Sequence, residues 1–428
     1  MTAAARSQPH QLRSIIGGSL GNLVEWYDWY AYSAFSVYFA KHFFPAGDAT
    51  AQLLSTAAIF AVGFLMRPIG AWVMGVYADH HGRKAGLALS VALMGGGSLL
   101  IALTPGAATI GIAAPLLLLF ARLLQGLSIG GEYGASATYL TEMAGAGHRG
   151  RTSSYQYVTL IGGQLVALCV QLLLQALLDE AAMEQWGWRV AFLIGAVLAF
   201  LVYVLRRRID ETADFAKVKA GTPRSSGMEL LRQHPRAALL VIALTAGGTL
   251  AFYAYTTYMQ KYLVNSAGFT RPQATLIMTA ALALFMLLQP VFGHLSDRIG
   301  RKPLLISFGI AGTFFTVPLF LAIAHTHSQL VAFSLVMAGL LCISSYTSIS
   351  AVVKAELFPA HIRALGVALP YAIANSLFGG SAEYVALWLK DAGMESVFFY
   401  YVSGMCALSL LAYVRMKETA KHGAMGKP

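Results

Sequence analysis

Charged side chains are scarce in this sequence. Only 11% of its 428 residues are Asp, Glu, Lys or Arg, whereas 57% are hydrophobic, and a soluble domain usually carries about 25% charged residues. A water-facing surface cannot be built from this composition, and the mean hydropathy is +0.62. We therefore expect an integral membrane protein whose chain lies mostly in lipid or against itself.

Cysteine is also rare, and motifs that bind cofactors are absent. The three cysteines, Cys169, Cys342 and Cys406, are scattered through apolar segments without the spacing of a metal site or a disulfide framework. The glycines at 126, 130 and 134 follow no strand, so they do not form a nucleotide loop; their spacing by four favours close helix contact. We expect no metal and no cofactor.

The net charge of +11 does not indicate a nucleic-acid partner. The basic residues lie in short loops between apolar runs, as they do in the cytoplasmic loops of membrane proteins. Most of the 30 Lys and Arg residues fall on one side of the predicted membrane. We expect the lipid bilayer as the partner, with both termini in the cytoplasm.

Long apolar runs are abundant. A helix of about 20 predominantly apolar residues crosses a bilayer, and the runs predict an all-α protein with twelve transmembrane helices. The first thirteen residues lack the apolar core of a signal peptide, so the first run is expected to stay uncleaved. The predicted spans are 14–40, 53–78, 86–105, 109–139, 153–178, 188–206, 237–263, 272–296, 303–324, 329–355, 366–390 and 395–415.

One long hydrophilic stretch divides these runs into two groups of six. Residues 206–236 carry many charges and interrupt the hydrophobic pattern at mid-chain. We expect an N-terminal six-helix bundle at 1–205, a cytoplasmic linker at 206–236, and a C-terminal six-helix bundle with a short tail at 237–428.

Two short charged sequences occur once in each half. "GVYADHHGRK" (75–84) and "GHLSDRIGRK" (293–302), here called the hinges, share five residues at equal spacing. "TEMAGAGHR", ending at Arg149, is similarly echoed by "AELFPAHIR", ending at Arg363. Repeated halves with a polar interface are typical of secondary transporters.

We expect the charged hinge residues to make ion pairs at the rim of the two bundles. These ion pairs would be present in one conformation and broken in another. The hinge aspartates are expected just before a helix start, where the helix dipole favours a carboxylate. The alternative is ordinary basic loops that only set orientation. The gating candidates are Asp79, Arg83, Glu142, Arg149, Asp297, Arg301, Glu356 and Arg363.

Several ionisable residues lie deep within predicted spans, where they are costly and therefore candidates for function. Glu25 and Asp28 are near mid-depth of the first span and share one helix face by their i, i+3 spacing. Arg67 and Arg122 offer forked donors that suit two carboxylates. For Glu132 and Glu383 a purely structural ion pair is an equal alternative. Further polar candidates for a pocket are Gln164, Tyr253, Thr257, Tyr346, Ser348 and Asn375.

The hinge pattern G-x-x-x-D-x-x-G-R-K resembles the signature of the major facilitator superfamily, and "RLLQGLSIGGEYG" (122–134) resembles its fourth-span motif. "GNLVEWYDWYAYS" (21–33) and "FLMRPIGAW" (64–72) are similar to the metabolite–proton symporter branch. "YQYVTLIGGQL" (155–165) and "KAELFPAHIRALG" (354–366) are similar to the α-ketoglutarate permeases within that branch.

The resemblance implies a proton-coupled symporter that imports a small dicarboxylate, α-ketoglutarate, by alternating access, as a functional monomer in a bacterial inner membrane. Citrate or shikimate is the alternative substrate. The resemblance also implies a role for Asp28 and Arg122, because related sugar porters pair a first-span acid with a fourth-span arginine. We expect Asp28 to carry the proton with Glu25 assisting, and Glu132 is the alternative proton carrier.

Two other classes of function remain as alternatives. A membrane enzyme, such as an acyl or glycosyl transferase, is disfavoured because the sequence has no paired His/Asp cluster and no long loop to hold an active site. A channel would require a pore lined by rings of residues from an oligomer, whereas a doubled bundle with midplane charges fits a transporter better.

Overall fold

A computed structural model describes residues 8–81, 83–130, 132–144, 147–207, 230, 232–359 and 362–425. Within those ranges, the side chains of Asp79, Arg83 and Glu132 are not among those described. All the regular secondary structure of the described ranges is helical. The all-α prediction is therefore confirmed.

The described helices form twelve spans in chain order. Spans 1 to 6 are Gln8–Phe43, Ala49–His81, Arg83–Leu103, Ala113–Ile129 continued by Glu132–Met143, Arg149–Leu177, and Glu180–Leu205. Spans 7 to 12 are Pro235–Asn265, Arg271–Ile299, Arg301–Ala324, Gln329–Glu356, Arg363–Ala374 continued to Ala382–Asp391, and Glu395–Arg415. Of the described helices, eight are long and apolar enough to cross a membrane on length and composition alone. The remaining four spans are shorter, interrupted or carry buried polar groups.

Most predicted span ends lie within a few residues of the observed ones. The sixth span differs, because its helix begins at Glu180 rather than at residue 188. The hydrophobic pattern did not predict residues 180–187, because their sequence "EAAMEQWG" is polar. They are helical because the Asp179 side chain caps the helix by accepting a hydrogen bond from the Ala182 N–H at 2.7 Å.

Local sequence signals account for several of the helix ends. Thr270 and Gln273 form a reciprocal capping box at the start of span 8, and Ser328 caps span 10. Gly300 separates spans 8 and 9 with φ of +96°, a conformation that glycine adopts without steric cost. The second hinge therefore turns tightly where the sequence predicts.

Glycines bring span 4 against span 2. A Cβ on Gly126 would lie 2.2 Å from the Gly63 carbonyl oxygen, and one on Gly130 would lie 2.2 Å from the Arg67 carbonyl oxygen. The backbones touch because no side chain intervenes, which confirms the predicted close contact. This contact places Arg67 beside the span that carries Arg122.

The helix ends define two faces. The hinge face contains the helix ends at His81, Met143, Arg149, Ile299, Glu356 and Arg363. The opposite face contains the connections at 44–48, 104–112, 178–179, 266–270, 325–328 and 392–394. The two halves pack through span 5 against span 8 and through span 2 against span 11. At the second contact Ser376 donates a 2.6 Å hydrogen bond to the Phe64 carbonyl.

Candidate functional site

Two arginines flank one tryptophan at the centre of the N-terminal half. The guanidinium carbons of Arg67 and Arg122 lie 4.7 Å and 3.7 Å from the ring centroid of Trp29. Arg67 also lies 3.9 Å from the ring of Phe64, and the two arginines are close enough for their charges to interact. Both are buried, at 4% and 0% exposure, so aromatic faces supply much of their immediate surroundings.

In each guanidinium group the same two nitrogen atoms donate no described hydrogen bond. Nε and Nη2 of Arg67, and Nε and Nη2 of Arg122, are buried without a hydrogen-bond partner in the described part of the chain. Buried donors without partners are costly. Nε and Nη2 form an edge of the guanidinium group that can bind a carboxylate bidentately. Each arginine therefore has a pair of donors, here called its fork, that is available for a carboxylate.

Asp28 does not pair directly with Arg122, contrary to expectation. Gln125 lies between them, with its Oε1 accepting from Arg122 Nη1 at 2.7 Å and its Nε2 donating to the Asp28 carboxylate. Ser98 also donates to Asp28. Sequence reasoning missed Gln125 and Ser98, although the spacing of three residues between Arg122 and Gln125 places both on one helix face.

Glu25 and Asp28 have different neighbours although they lie one turn apart. Asp28 contacts spans 3 and 4, whereas Glu25 lies within electrostatic range of Tyr253 in span 7. Both carboxylates are buried, at 3% and 1% exposure. The first acid therefore faces the C-terminal half, and the second faces the interior of the N-terminal half.

Spans 7 and 11 contribute polar groups next to π-helical segments. Thr257 lies in the π-helical segment Ala254–Tyr258, and Asn375 begins the segment Asn375–Gly379; such segments are frequent at functional sites. Asn375 accepts a hydrogen bond from Thr249, while its Nδ2 has no described partner. The Tyr253 hydroxyl lies beside the Asn375 amide and the Arg67 guanidinium and interacts with both, although neither contact has the geometry of a full hydrogen bond.

The other pocket candidates are buried but less closely connected to the arginines. Gln164 Oε1, Tyr346 Oη and Ser348 Oγ have no hydrogen-bond partner among the described residues. Gln164 belongs to span 5, and the other two belong to span 10. The structure thus brings Arg67, Arg122, Tyr253 and Asn375 to one central region. Gln164, Tyr346 and Ser348 form no described hydrogen bond with either arginine.

Asp297 of the second hinge stabilises a different helix from the one expected. It lies in the last turn of span 8, and its carboxylate accepts from the N–H groups of Gly150 and Arg151 at 2.8 Å and 2.9 Å. These donors begin span 5 in the other half, so the helix dipole that favours Asp297 is that of span 5. Asp297 also pairs with Arg301 at 2.9 Å.

Ion pairs continue around the hinge face. Arg301 reaches Glu356 at 3.4 Å, and Arg363 pairs with Glu142 of the other half at 2.5 Å. Arg149 donates to the Met425 carbonyl at 3.3 Å. Among the other candidates, the side chains of Asp79, Arg83 and Glu132 lie outside the described residues.

A buried ion pair lies towards the opposite face, in agreement with the structural alternative that the sequence left open for Glu383. Lys261, which the sequence did not single out as its partner, is 1% exposed and lies 2.9 Å from Glu383. Its Nζ also donates to the carbonyl and hydroxyl oxygens of Ser33 in span 1, while the Ser33 hydroxyl donates to Glu383 at 2.6 Å. This cluster of Lys261, Glu383 and Ser33 ties the halves together.

Contacts between the halves thus close the protein on both sides of the central arginines. On the hinge-face side, the rings of Tyr133 and Tyr371 stack with centroids 3.7 Å apart. Towards the opposite face, Gln260 donates to Gln171 at 2.9 Å. A cavity of about 330 Å³, lined in part by Gln175 and Arg271, lies beyond that contact. The structure is an occluded one.

Comparisons with known proteins agree with this architecture. A family model described as "Sugar (and other) transporter" matches residues 15–225 and 205–425. The α-ketoglutarate permease of Escherichia coli (strain K12) is 53% identical over 408 residues, which cover 95% of this chain and 94% of the permease. The citrate-proton symporter of Klebsiella pneumoniae is 33% identical over 407 residues, covering 94% of this chain and 91% of the symporter.

A solved structure shows the same fold. The major facilitator superfamily proton:xylose symporter superposes with a TM-score of 0.75 at 18% identity, covering 95% of this chain and 96% of that chain. Each of these relatives is a transporter. The twelve-helix fold in two six-helix bundles, and a transport activity rather than an enzymatic one, follow from these matches.

Proposed function

Since the chain belongs to the sugar (and other) transporter family of the major facilitator superfamily, we propose that it is a proton-coupled symporter that imports α-ketoglutarate. The pair of unused guanidinium forks at Arg67 and Arg122 carries the proposal for a dicarboxylate. The relative that is 53% identical is an α-ketoglutarate permease, which favours this dicarboxylate over citrate or shikimate.

Arg67 and Arg122 each bind one carboxylate of the substrate in this proposal. A bidentate pair satisfies the buried Nε and Nη2 donors of a guanidinium at once, and a dianion neutralises both charges. Further polar groups around the central region are available to orient the bound anion. These are Gln164, Tyr253, Thr257, Tyr346 and Asn375.

Asp28 carries the coupling proton, and Gln125 links it to the substrate site. While Asp28 is ionised, it holds the Gln125 amide, and the Gln125 oxygen holds Arg122. Protonation removes the charge that orients Gln125, so Arg122 becomes free to bind the anion. Glu25 and Glu132 are the further candidates for protons. A second proton would avoid moving net negative charge inwards, which costs ~2.3 kcal/mol per elementary charge per 100 mV.

Alternating access follows from motion of two bundles, 1–205 and 237–428, joined by the linker 206–236. We assign the hinge face to the cytoplasm because it carries most of the basic residues, which places both termini there, in a bacterial inner membrane. The gating residues are the rim pairs described above together with Asp79 and Arg83. Lipid and the organic anion are the partners of a functional monomer that uses protons and no cofactor.

Uptake of labelled α-ketoglutarate into proteoliposomes, with and without an inward proton gradient, tests the function. We expect accumulation with the gradient and competition by dicarboxylates. Arg67→Lys and Arg122→Lys are expected to weaken apparent affinity strongly, because a point ammonium does not reproduce a fork. Competition by proline and none by dicarboxylates would contradict the substrate assignment.

Asp28→Asn tests the coupling. The variant keeps the size of the side chain but cannot bind and release a proton, so gradient-driven accumulation should be lost while substrate binding persists. Exchange of internal for external substrate is the readout for the remaining activity. Full gradient-driven accumulation by Asp28→Asn would contradict the assignment and favour Glu132.

A further inference from the structure

Lys354 is a buried lysine that the proposed transport mechanism does not use. It lies in the last turn of span 10 and is 1% exposed. Its described hydrogen bonds are both to hydroxyl groups, with Nζ donating to Ser350 Oγ at 2.7 Å and to Tyr133 Oη at 3.4 Å. No carboxylate pairs with it in the part of the chain that the structure describes. A lysine buried in this way has no carboxylate to compensate the charge of its ammonium form.

Three tyrosine rings enclose the ammonium group and take the place of a counter-ion. Nζ lies 4.2 Å from the ring centroid of Tyr371, 5.4 Å from that of Tyr133 and 6.0 Å from that of Tyr346. Aromatic faces attract cations, although more weakly than a carboxylate does. We call Lys354 and these three rings the tyrosine cage.

Both halves of the protein contribute to the tyrosine cage. Tyr133 belongs to span 4, whereas Tyr371 and Lys354 belong to spans 11 and 10. Next to the stacked rings, a Cβ on Gly134 would lie 2.4 Å from the Cβ of Ala368, so the two halves touch closely there. Separation of the halves at the hinge face must therefore remove Tyr133 from the cage and expose the ammonium group to water.

The cage adjoins the central arginine site. The Tyr371 hydroxyl lies within electrostatic range of Arg67 and Tyr253, while the ring of Tyr371 covers Lys354. Lys354 is only two residues from the end of span 10 at the hinge face. Lys354 therefore lies between the end of span 10 at the hinge face and a tyrosine that is within electrostatic range of Arg67.

We propose that Lys354 is a second carboxylate-binding station, which receives the substrate anion at the hinge-face side of the central site when the two halves separate there. This inference rests on the proposed function. In the occluded structure the tyrosine cage holds the cation out of reach. On opening, the exposed ammonium binds a carboxylate as it leaves the central site or approaches it from the hinge-face side.

A sided transport measurement tests the station. Labelled α-ketoglutarate is presented to right-side-out and to everted membrane vesicles that contain Lys354→Gln, and KM is measured from each face. We expect the KM at the hinge face to rise by about tenfold or more, as on loss of a charge-assisted contact, with the KM at the opposite face little changed. Lys354→Arg should restore most of the affinity. Lys417→Gln, which removes an exposed charge from the hinge face, is the matched control.

The outcomes separate the station from the proposed function. Normal wild-type uptake with an unchanged hinge-face KM in Lys354→Gln, or with equal changes at both faces, would overturn the station alone. Wild-type vesicles that transport no α-ketoglutarate in either orientation would overturn the proposed function. Because a folding defect would also lower activity, the thermal unfolding midpoint of Lys354→Met is measured; a midpoint well below wild type would assign Lys354 a structural role instead.

Discussion

Lys261 and Lys354 are both fully buried in the C-terminal half, but they have opposite surroundings. Lys261 pairs with Glu383 at 2.9 Å and donates to Ser33, whereas the described neighbours of the Lys354 ammonium group are hydroxyl groups and tyrosine rings. A compensated buried charge holds its partners in place, and an uncompensated one gains from any anion that reaches it. The difference favours a structural role for Lys261 in joining the halves, and it supports the proposal that Lys354 receives a ligand only when the halves separate.

We expect the largest effect on stability from Glu383→Gln. This variant leaves Lys261 buried without a carboxylate partner, as Lys354 is. Removal of one partner from a buried ion pair costs about 3–5 kcal/mol, so the thermal unfolding midpoint in detergent should fall sharply. The double variant Lys261→Met/Glu383→Leu is the control, because it removes both charges and should regain most of the lost stability. A single variant as stable as wild type would show that the pair does not hold the halves together.

Lys354→Met should stabilise the protein, whereas Glu383→Gln should destabilise it. Replacing a buried uncompensated cation with an apolar side chain of similar length is expected to raise the free energy of unfolding by about 1–2 kcal/mol. Lys261→Met, measured alongside, should be destabilising because it leaves Glu383 unpaired. The comparison between the two lysines fails if both variants shift the unfolding midpoint in the same direction.

Asp297→Ala extends the comparison to a carboxylate on the hinge-face side. It removes the cap of span 5 and the pair with Arg301, and loss of a helix cap costs about 0.5–2 kcal/mol. We expect faster hydrogen exchange at the amides of Gly150 and Arg151. Asp391→Ala, at the exposed end of span 11, is the control and should leave that exchange unchanged; unchanged exchange in Asp297→Ala as well would exclude the capping role.

Ser33→Ala should have the smallest effect. It removes the hydroxyl that links Lys261 and Glu383 to span 1, but the Ser33 carbonyl still accepts from Lys261. The variant loses the two hydrogen bonds of this hydroxyl, but Lys261 and Glu383 still pair directly. We therefore expect a net loss of only about 0.5–1.5 kcal/mol, measured as a small fall in the unfolding midpoint. Ser334→Ala, an exposed serine on a neighbouring helix, provides the baseline, and a fall no larger than this baseline would mean that the hydroxyl contributes little.

The sequence alone was sufficient for the helices and for several central charges. The lengths of apolar runs place the spans because a bilayer has a fixed thickness. Asp28, Arg67 and Arg122 stand out because ionisable groups are rare in such runs. The glycine spacing in span 4 and the turn at Gly300 follow from local steric rules, which do not depend on distant residues.

Only the tertiary structure decided which of these groups meet. Gln125 separates Asp28 from Arg122, Asp297 caps a helix of the other half, and Lys261 finds Glu383 in another span. These partners are distant in sequence, except for the single turn between Arg122 and Gln125, so no periodicity of the chain encodes them. The sequence determined the spans and the buried charges because bilayer thickness and desolvation act on each segment alone, whereas the packing of twelve helices determined which charges are compensated.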